Sequence, residues 1–343
     1  MATRKGKATL LMQQAPSVLA AAAVGGKKES QGPLASNFDY TNNDSTFGQK
    51  SWEAAESDMQ KRALQLALEK GKRNAADLDY IFAGDLLNQC TGSTFGLREM
   101  GVPFLGLYGA CSTMAESLGL AALFVEGGFA QYAAAVTSSH FCSAERQFRF
   151  PLEYGGQRPP SAQWTATAAG AAVVGRGEKG PFIRGVTFGR IVDLGIKDAN
   201  NMGAAMAPAA ADTLCRFFAD MGTGPQDYDL IVTGDLGQIG SRLLYDLMKR
   251  EGYQLEGHHK DCGLMLYDLE NFPQAGAGGS GCGCSASVLC GHLLKQVAGG
   301  GLKNLLFMAT GALMSPTSSQ QGESIPGVAH LIWISAQGPK EAK

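Results

Sequence analysis

The chain has 343 residues, a formal net charge of −2, and 45% hydrophobic against 17% charged residues. A single hydrophobic core seldom grows beyond ~250 to 300 residues, so this length predicts two fused halves, and the composition excludes a disordered chain. The small net charge and the absence of a run of lysine and arginine give no electrostatic footprint for nucleic acid or for an anionic membrane surface.

The first residues place basic side chains before an alanine-rich stretch that ends near Val24, an order that faintly resembles a signal peptide. Gln13, Gln14 and Pro16 interrupt its apolar part, so we expect an N-terminal strand and loop. No apolar run approaches the ~20 residues of a transmembrane helix, and no membrane span is predicted. The eight cysteines lack CxxC and zinc-finger spacing, which favours reduced thiols in a cytosolic compartment and no metal site.

Internal repetition is the most informative feature of the sequence. Residues 77–86 (DLDYIFAGDL) recur as residues 227–236 (DYDLIVTGDL), and Cys111 recurs as Cys284 at a second constant offset. Each copy reads helix, apolar strand, Gly-rich turn, small-residue helix and strand, and the strands are too apolar to alternate, which predicts parallel strands covered on both faces. We therefore predict an α/β protein of two duplicated halves, with the small-residue helices between two sheets in a five-layered α-β-α-β-α arrangement.

The repeat also sets the expected boundaries of the two halves. The first half is assigned to residues 1–195, with a loop segment at 140–160, and the second half to residues 196–343. The second half contains an insertion at about 247–272. We expect that insertion to form a lobe or loop outside the repeated core.

Several residues at the ends of strands could carry chemistry. Cys111 opens the first small-residue helix, where unpaired amides and the helix dipole lower a thiol pKa, so it is a candidate nucleophile; a small buried core residue fits the same position. Asp85 and Asp235 end equivalent strands and are either general bases or caps of the turns that follow them. Asn88 lies close to Asp85 in the sequence, which makes Asp85 the better site candidate.

A charged segment follows the next strand. It begins at His140 and contains Glu145, Arg146 and Arg149. Guanidinium groups pair with carboxylates through two hydrogen bonds, so this segment suits a small carboxylated ligand. The alternative is a solvated or subunit-interface loop whose charges pair with each other.

The doubled unit with a cysteine at the start of its first central helix resembles the thiolase and ketoacyl synthase superfamily, whose halves share this five-layered fold. Cys111 matches the nucleophile of that superfamily. Gly234-Asp235 stands where its catalytic histidine follows the first strand of half two, and Gly283-Cys284 stands where its second histidine or asparagine lies. Without a base and with an altered oxyanion hole, condensation would lose several orders of magnitude in rate, so this resemblance favours ligand binding without catalysis.

Longer fragments resemble one spore-formation family of that superfamily, the stage V sporulation protein AD family. They are spread over nearly the whole chain and include GPLASNFD, FAGDLLNQ, GACSTMAES and GGSGCGCSA. This resemblance implies binding of dipicolinic acid (pyridine-2,6-dicarboxylate), free or as its calcium chelate, for uptake into the developing spore, without a cofactor. It further implies membrane proteins of the stage V sporulation A operon as partners, a homodimer, and a soluble, peripheral location on the cytoplasmic side of the forespore or spore inner membrane.

A flat ring with two carboxylates needs cations or amides at its ends and apolar faces between them. The rival function is an acyltransferase that keeps Cys111 and recruits His140 or His330 as its base, and a third interpretation is a docking scaffold with a closed pocket. For His330 a buried structural role is the alternative. The predicted ligand-binding residues are Cys111 at the pocket floor, His140, Arg146 and Arg149 as carboxylate partners, Glu145 orienting an arginine, and Asp85, Asn88, Cys284 and His330.

Overall fold

The computed structural model describes residues 1–148 and 158–339. Arg149, one of the predicted carboxylate partners, lies outside the described residues, as does the rest of the stretch 149–157 within the 140–160 loop segment.

The described chain alternates strands and helices. The strands are β1 (Thr3–Lys5), β2 (Thr9–Leu11), β3 (Ser17–Gly25), β4 (Tyr40–Thr41), β5 (Tyr80–Gly84), β6 (Phe104–Gly106), β7 (Tyr132–Ser139), β8 (Trp164–Thr165), β9 (Ala168–Gly175), β10 (Phe182–Thr187), β11 (Leu230–Thr233), β12 (His259–Asp261), β13 (Gly279–Ser280), β14 (Asn304–Ala312) and β15 (Gly327–Ser335). The helices are α1 (Trp52–Lys70), α2 (Thr91–Leu97), α3 (Thr113–Glu126), α4 (Phe141–Phe148), α5 (Met202–Met221), α6 (Gly237–Arg250), α7 (Cys262–Leu266), α8 (Cys282–Val288), α9 (Leu294–Ala298) and α10 (Pro316–Gln320).

The two halves have the same strand order, which confirms the predicted duplication. Strands of the first half lie in the order β6-β5-β7-β9-β3, and those of the second in the order β12-β11-β14-β15-β10. Numbered along each half, both orders are third, second, fourth, fifth and first strand. The halves meet where β10 pairs with β3 through Phe182 and Ser17. The second set of strands therefore begins with β10, ahead of the boundary expected at residue 196.

The prediction of parallel strands holds for four strands of each half and is wrong for the fifth. β9 runs antiparallel to β7 and β3, and β15 runs antiparallel to β14 and β10. A parallel pair needs a crossover that returns the chain to the same end of the sheet. No such crossover lies between β14 and β15, where the described chain contains only the short helix α10.

The insertion at about 247–272, which we expected to lie outside the repeated core, contributes the strand β12 to that core. The expectation is therefore wrong. β12 pairs in parallel with β11 through His259 and Asp261, and both of these residues are buried. It is the counterpart of β6, which pairs with β5. Its polar sequence, HKD, gave no apolar strand signal, so the sequence pattern missed it.

Helices cover both faces of each sheet, as the five-layered prediction requires. α1 packs on β3, β7 and β9, and α5 packs on β14 and β15, so these two helices form the outer layers. α3 and α8 lie between the sheets, where α3 contacts β7 and β5 of the first half and β14 and β15 of the second. Among the described helices, none combines the length and the hydropathy needed to cross a bilayer.

The central helices approach the strands more closely than side chains would allow. A Cβ added at Gly283, in α8, would lie 2.1 Å from the carbonyl oxygen of Ala168 in β9. A Cβ at Gly170, also in β9, would lie 2.4 Å from the carbonyl oxygen of Ala286. Glycine at these positions therefore sets how closely the two halves can pack.

We expect Gly283→Ala to lower the free energy of unfolding by about 3 kcal/mol or more, because backbone must move to admit the methyl group. The matched control is Gly338→Ala, since a Cβ there would meet only the Phe182 ring at ordinary contact distances of 3.6 to 3.8 Å. Urea unfolding followed by circular dichroism measures both variants. Equal stability of the two variants would contradict this account of the helix–strand contact.

Candidate functional site

A cavity of about 200 Å³ lies between the two halves. No lysine, arginine or histidine is among its described lining residues, and Glu145 is the one carboxylate there. The cavity is therefore mostly apolar, with a few polar groups. The lining residues are Leu86, Tyr108, Ala110, Cys111, Ala144, Glu145, Phe148, Gln163 and Thr165 from the first half, and Asn200, Met202, Ser280, Ala312, Leu313, Met314 and Ser315 from the second.

Cys111 reaches the cavity because of a sharp turn before α3. Ala110 has a φ of 51°, in the left-handed region that residues with a side chain rarely adopt. The turn is held by Ser112 Oγ, which donates to Gly109 O at 2.6 Å, and by Thr113 Oγ1, which donates to Ala110 O at 2.7 Å. The thiol is placed in the cavity wall while the residue itself stays buried, with 5% of its surface exposed.

The surroundings of the Cys111 thiol oppose ionisation. Burial first, and then the Asp235 carboxylate and the Cys282 thiol, hold the pKa of Cys111 well above its usual value, although the Gly281 amide acts in the opposite direction. The sequence analysis expected the helix N-terminus to lower this pKa. That expectation is wrong because loss of water and a neighbouring carboxylate outweigh the helix dipole.

Asp235 lies at the end of β11, beside Cys111, and is fully buried. Its carboxylate accepts hydrogen bonds from Gly281 N at 2.9 Å, Ser280 Oγ at 3.1 Å and Thr310 Oγ1 at 2.8 Å. Burial raises the pKa of Asp235, and these donors counteract part of that rise. Asp235 thus connects the turn before α8 to β14. It does not cap the turn that follows β11, where the amides of Leu236 and Gly237 donate to Asp261 instead.

The residue that faces Cys111 from α8 is Cys282, whereas the repeat pointed to Cys284. Cys282 packs with Cys111, Leu86 and Ala144, and its Sγ donates to Ser138 O at 2.9 Å. Cys284 is fully buried, does not line the cavity, and directs its Sγ towards Gly234 O. The reason is that α8 begins about one turn earlier than the repeat offset predicts.

Asp85 and Asn88 lie outside the cavity lining. Asp85 is buried and accepts hydrogen bonds from the amides of Leu87 at 2.8 Å and Ser93 at 2.7 Å. These bonds match the capping alternative for Asp85. Asn88 is exposed and forms two hydrogen bonds with Gln147 of α4. Its backbone N–H donates to Gln147 Oε1, and its side-chain Oδ1 accepts from Gln147 Nε2.

Neither predicted histidine lines the cavity. His140 Nε2 lies 2.7 Å from Ser45 O, and its Nδ1 accepts from Cys142 N at 3.2 Å, so both ring nitrogens are occupied. Burial lowers the pKa of His140. His330 accepts from Gly189 N through Nδ1 at 3.1 Å, and burial lowers its pKa to about 4. Both rings are therefore neutral at pH 7.

The charged segment after β7 is divided by the structure. Glu145 lines the cavity, and its carboxylate lies 3.4 Å from the guanidinium of Arg158. Arg146 points to the other side of α4, where it forms an ion pair with Glu53 of α1, and 47% of its side chain is exposed. The structure therefore brings Cys111 and Glu145 together in one cavity and leaves Arg146 outside it.

The sequence analysis did not identify Gln163 or Tyr108 as site residues. Gln163 is buried, lines the cavity, and donates through Nε2 to Asp235 O at 2.7 Å and Gly279 O at 2.9 Å, which ties the two halves together. Tyr108 precedes the Cys111 turn and donates through its hydroxyl to Leu86 O at 3.2 Å. Proximity to Cys111 in the sequence could have indicated Tyr108, but no local signal indicated Gln163.

No group of three or more histidine, cysteine, aspartate or glutamate residues suited to a metal ion occurs among residues 1–148 and 158–339. Cys282 and Cys284 form a CxC pair in the sequence, but their thiols point apart, that of Cys282 to Ser138 O and that of Cys284 to Gly234 O.

Comparison with solved structures identifies the fold. The chain is similar to 3-oxoacyl-[acyl-carrier-protein] synthase III of Aquifex aeolicus VF5, with a TM-score of 0.55 and 13% identity over 93% of this chain and 99% of that one. It is also similar to OleA of Xanthomonas campestris, with a TM-score of 0.59 and 14% identity over 95% and 99% of the two chains. The predicted thiolase-like fold is thereby confirmed.

Comparison of sequences is more specific. The chain is 46% identical over 333 residues to stage V sporulation protein AD of Bacillus subtilis (strain 168), covering 97% of this chain and 98% of the relative. The sequence model of the family described as Stage V sporulation protein AD matches residues 6–335. The chain belongs to the stage V sporulation protein AD family.

Proposed function

We propose that this chain binds dipicolinic acid, free or as its calcium chelate, without transforming it, and serves as the peripheral ligand-binding subunit of a membrane transport assembly in the developing spore. The observation that carries the proposal is the cavity between the halves, with a neutral thiol at its floor and no histidine among its described lining residues. Membership of a sporulation family supports the biological setting. The remaining partners would be membrane proteins of the same operon, at the cytoplasmic side of the forespore or spore inner membrane.

The size and polarity of the cavity suit one aromatic ring. Cavities of roughly 150 Å³ admit benzene, and this cavity of about 200 Å³ offers apolar faces from Leu86, Phe148 and Met314. Arg158, which pairs with Glu145 in the wall, is the group we propose to turn towards a ligand carboxylate. A guanidinium can then exchange one carboxylate partner for another with two hydrogen bonds.

The chemistry of the floor favours binding over acyl transfer. A thiolate is the nucleophile in acyl transfer, and burial together with Asp235 disfavours that form of Cys111. The two histidines considered as substitute bases are outside the cavity lining. An acyltransferase remains the second candidate function only because the turn at Ala110 presents Cys111 to the cavity.

We expect Asp235→Asn to increase the rate of Cys111 alkylation by iodoacetamide by about tenfold, because removing a neighbouring charge lowers the thiol pKa and a tenfold larger thiolate fraction follows per pKa unit. Mass spectrometry of the labelled peptide measures the rate. Asp261→Asn is the matched control, since this nearby buried carboxyl does not contribute to the raised pKa of Cys111. An unchanged rate in Asp235→Asn would contradict the proposed electrostatic suppression of the thiol.

Calorimetric titration tests whether the protein binds the proposed ligand. We expect saturable binding of pyridine-2,6-dicarboxylate and affinity for pyridine-2-carboxylate that is weaker by about tenfold or more, because one charge-assisted hydrogen-bond partner is lost. Arg158→Gln should weaken binding of the dicarboxylate by about tenfold or more, whereas Arg146→Gln, on the far side of α4, should change it less than about twofold.

Two results would oppose this assignment. The absence of binding in folded protein would overturn the ligand proposal. Covalent acylation of Cys111 by an acyl thioester, detected by mass spectrometry, would instead support the acyltransferase candidate.

We also propose that two copies associate through the edge strand β6. Its open side leaves backbone amides and carbonyls unpaired within the described sheet. Aromatic side chains on β6 and on the segments before and after it are exposed: Phe95 by 56%, Phe104 by 38% and Tyr108 by 48%. Since Tyr108 also lines the cavity, a second copy on this edge would cover one side of the site.

Phe104→Glu should convert a dimer to a monomer, because it places a charge in an apolar contact that a second copy would bury. Light scattering coupled to size-exclusion chromatography measures the mass. The control is Phe129→Glu, which alters an aromatic residue exposed by 71% elsewhere on the first half. A monomeric wild-type chain, or loss of the dimer in the control alone, would refute the edge-strand interface.

A further inference from the structure

We propose that Glu56 is a positioning residue of the cavity: as a neutral acid it ties α4 to β7, and its ionisation releases α4 and weakens binding in the cavity. The effect on ligand affinity rests on the proposed function, whereas the effect on α4 does not. Glu56 itself does not line the cavity.

Glu56 joins three elements at a fully buried position on α1. Its Oε1 lies 3.2 Å from Ser138 Oγ of β7, and its Oε2 lies 2.7 Å from Ser143 Oγ of α4. Ser143 Oγ also lies 3.1 Å from His140 O, to which it can donate while it accepts the proton of the neutral acid. The same helix α4 supplies Ala144 and Glu145 to the cavity wall. A change in the attachment of α4 at Ser143 is therefore a change in the position of that wall.

A second carboxyl group lies against Glu56. A Cβ added at Gly92 would lie 3.1 Å from Asp85 Cγ and 3.4 Å from Glu56 Cδ, so both carboxyl groups flank the same glycine. Asp85 accepts from two backbone amides and from Ser93 Oγ. Because an amide can only donate, these bonds favour the charged form of Asp85, and the proton of the pair resides on Glu56.

Burial, and then the charge of Asp85, raise the pKa of Glu56 to about 8, against the effect of the two serine hydroxyls. Glu53, three residues earlier on α1, raises this pKa further. No ion pair to Glu56 occurs among the described residues, and a negative charge at Glu56 would lack a cationic partner.

The remaining titratable groups around this pair do not supply a positive charge. Cys282 of α8 is a thiol whose pKa burial and the charge of Asp85 hold well above its usual value, so it is neutral. Burial likewise raises the pKa of Cys90, next to Asp85, to about 11. Burial lowers the pKa of His140, which leaves that ring neutral, and Arg146 is paired with Glu53.

The direction of the pH dependence follows from these positions. The pKa of Glu56 is raised from 4.5 to about 8 on folding, so the folded state binds this proton more tightly than the unfolded state. The contribution of Glu56 to stability is therefore complete below pH 4.5 and is lost as the pH rises through about 8. The serine hydroxyls favour the charged form, but burial and the charge of Asp85 outweigh them, so ionisation favours an arrangement in which α4 moves away and water reaches Glu56. The attachment of α4 should therefore weaken over the same range. Glu56→Gln keeps a neutral side chain that can accept from one serine and donate to the other, and so removes this dependence.

Hydrogen exchange of the α4 amides provides the test that needs no ligand. Between about pH 6.5 and about pH 9.5, protection factors of residues 141–148 in the wild-type chain should fall by about tenfold, after correction for intrinsic exchange. Glu56→Gln should hold them constant. Glu53→Gln, which removes the half-buried partner of Arg146 and retains Glu56, should still show the fall.

Calorimetric titration with pyridine-2,6-dicarboxylate over the same range supplies the second readout. We expect the wild-type affinity to fall by about tenfold and the affinity of Glu56→Gln to stay constant. Constant protection of α4 in the wild-type chain, or an equal fall in Glu56→Gln, would overturn the proposal. If α4 responds as expected but the folded protein binds no ligand at any pH, the positioning role of Glu56 stands and the proposed function fails.

Discussion

The structure depends on the close approach of one central helix, α8 of the second half, to strand β9 of the first half. Gly283 in α8 and Gly170 in β9 allow backbone to meet backbone between the halves, at separations that a Cβ would prevent. This contact brings the beginning of α8 next to the beginning of α3, where Cys111 and Cys282 share one small apolar cluster. The cavity lies at that junction because neither half alone supplies both of its walls.

The same junction concentrates acidic side chains in a buried region. Asp85, Asp235 and Asp261 each follow or end a strand and accept hydrogen bonds from backbone amides. Asp85 accepts from Leu87 in the turn that follows it, Asp235 from Gly281 before α8, and Asp261 from Leu236 after β11. These bonds satisfy amides at buried turns and helix starts, which would otherwise lose their water without replacement. The consequence for chemistry is that a thiol in this setting is neutral, and the position that resembles a nucleophile lacks the electropositive surroundings that activate one.

Particular residues show how far sequence reasoning reached. The repeat of DLDYIFAGDL and DYDLIVTGDL predicted two equivalent halves, and both strand orders agree with it. Cys111 and Glu145, which the sequence analysis assigned to one pocket, both line the cavity, and their binding of a ligand stays a prediction. The constant offset of the repeat pointed to Cys284, because α8 begins about a turn earlier than that offset predicts. β12 was missed because its three residues are all polar and carry no hydrophobic period, although His259 and Asp261 are buried.

The sequence by itself determined the duplicated α/β architecture, the central helix that begins after Cys111, and the family, because periodicity, internal repetition and long matching fragments are properties of the linear chain. Tertiary structure alone decided which side chains share an environment. Gln163, Asp235 and Cys282 meet Cys111 from segments far apart in the chain, and Glu56 meets Asp85 across Gly92. Burial and neighbouring charge, which set the protonation of these groups, arise only when the halves pack together.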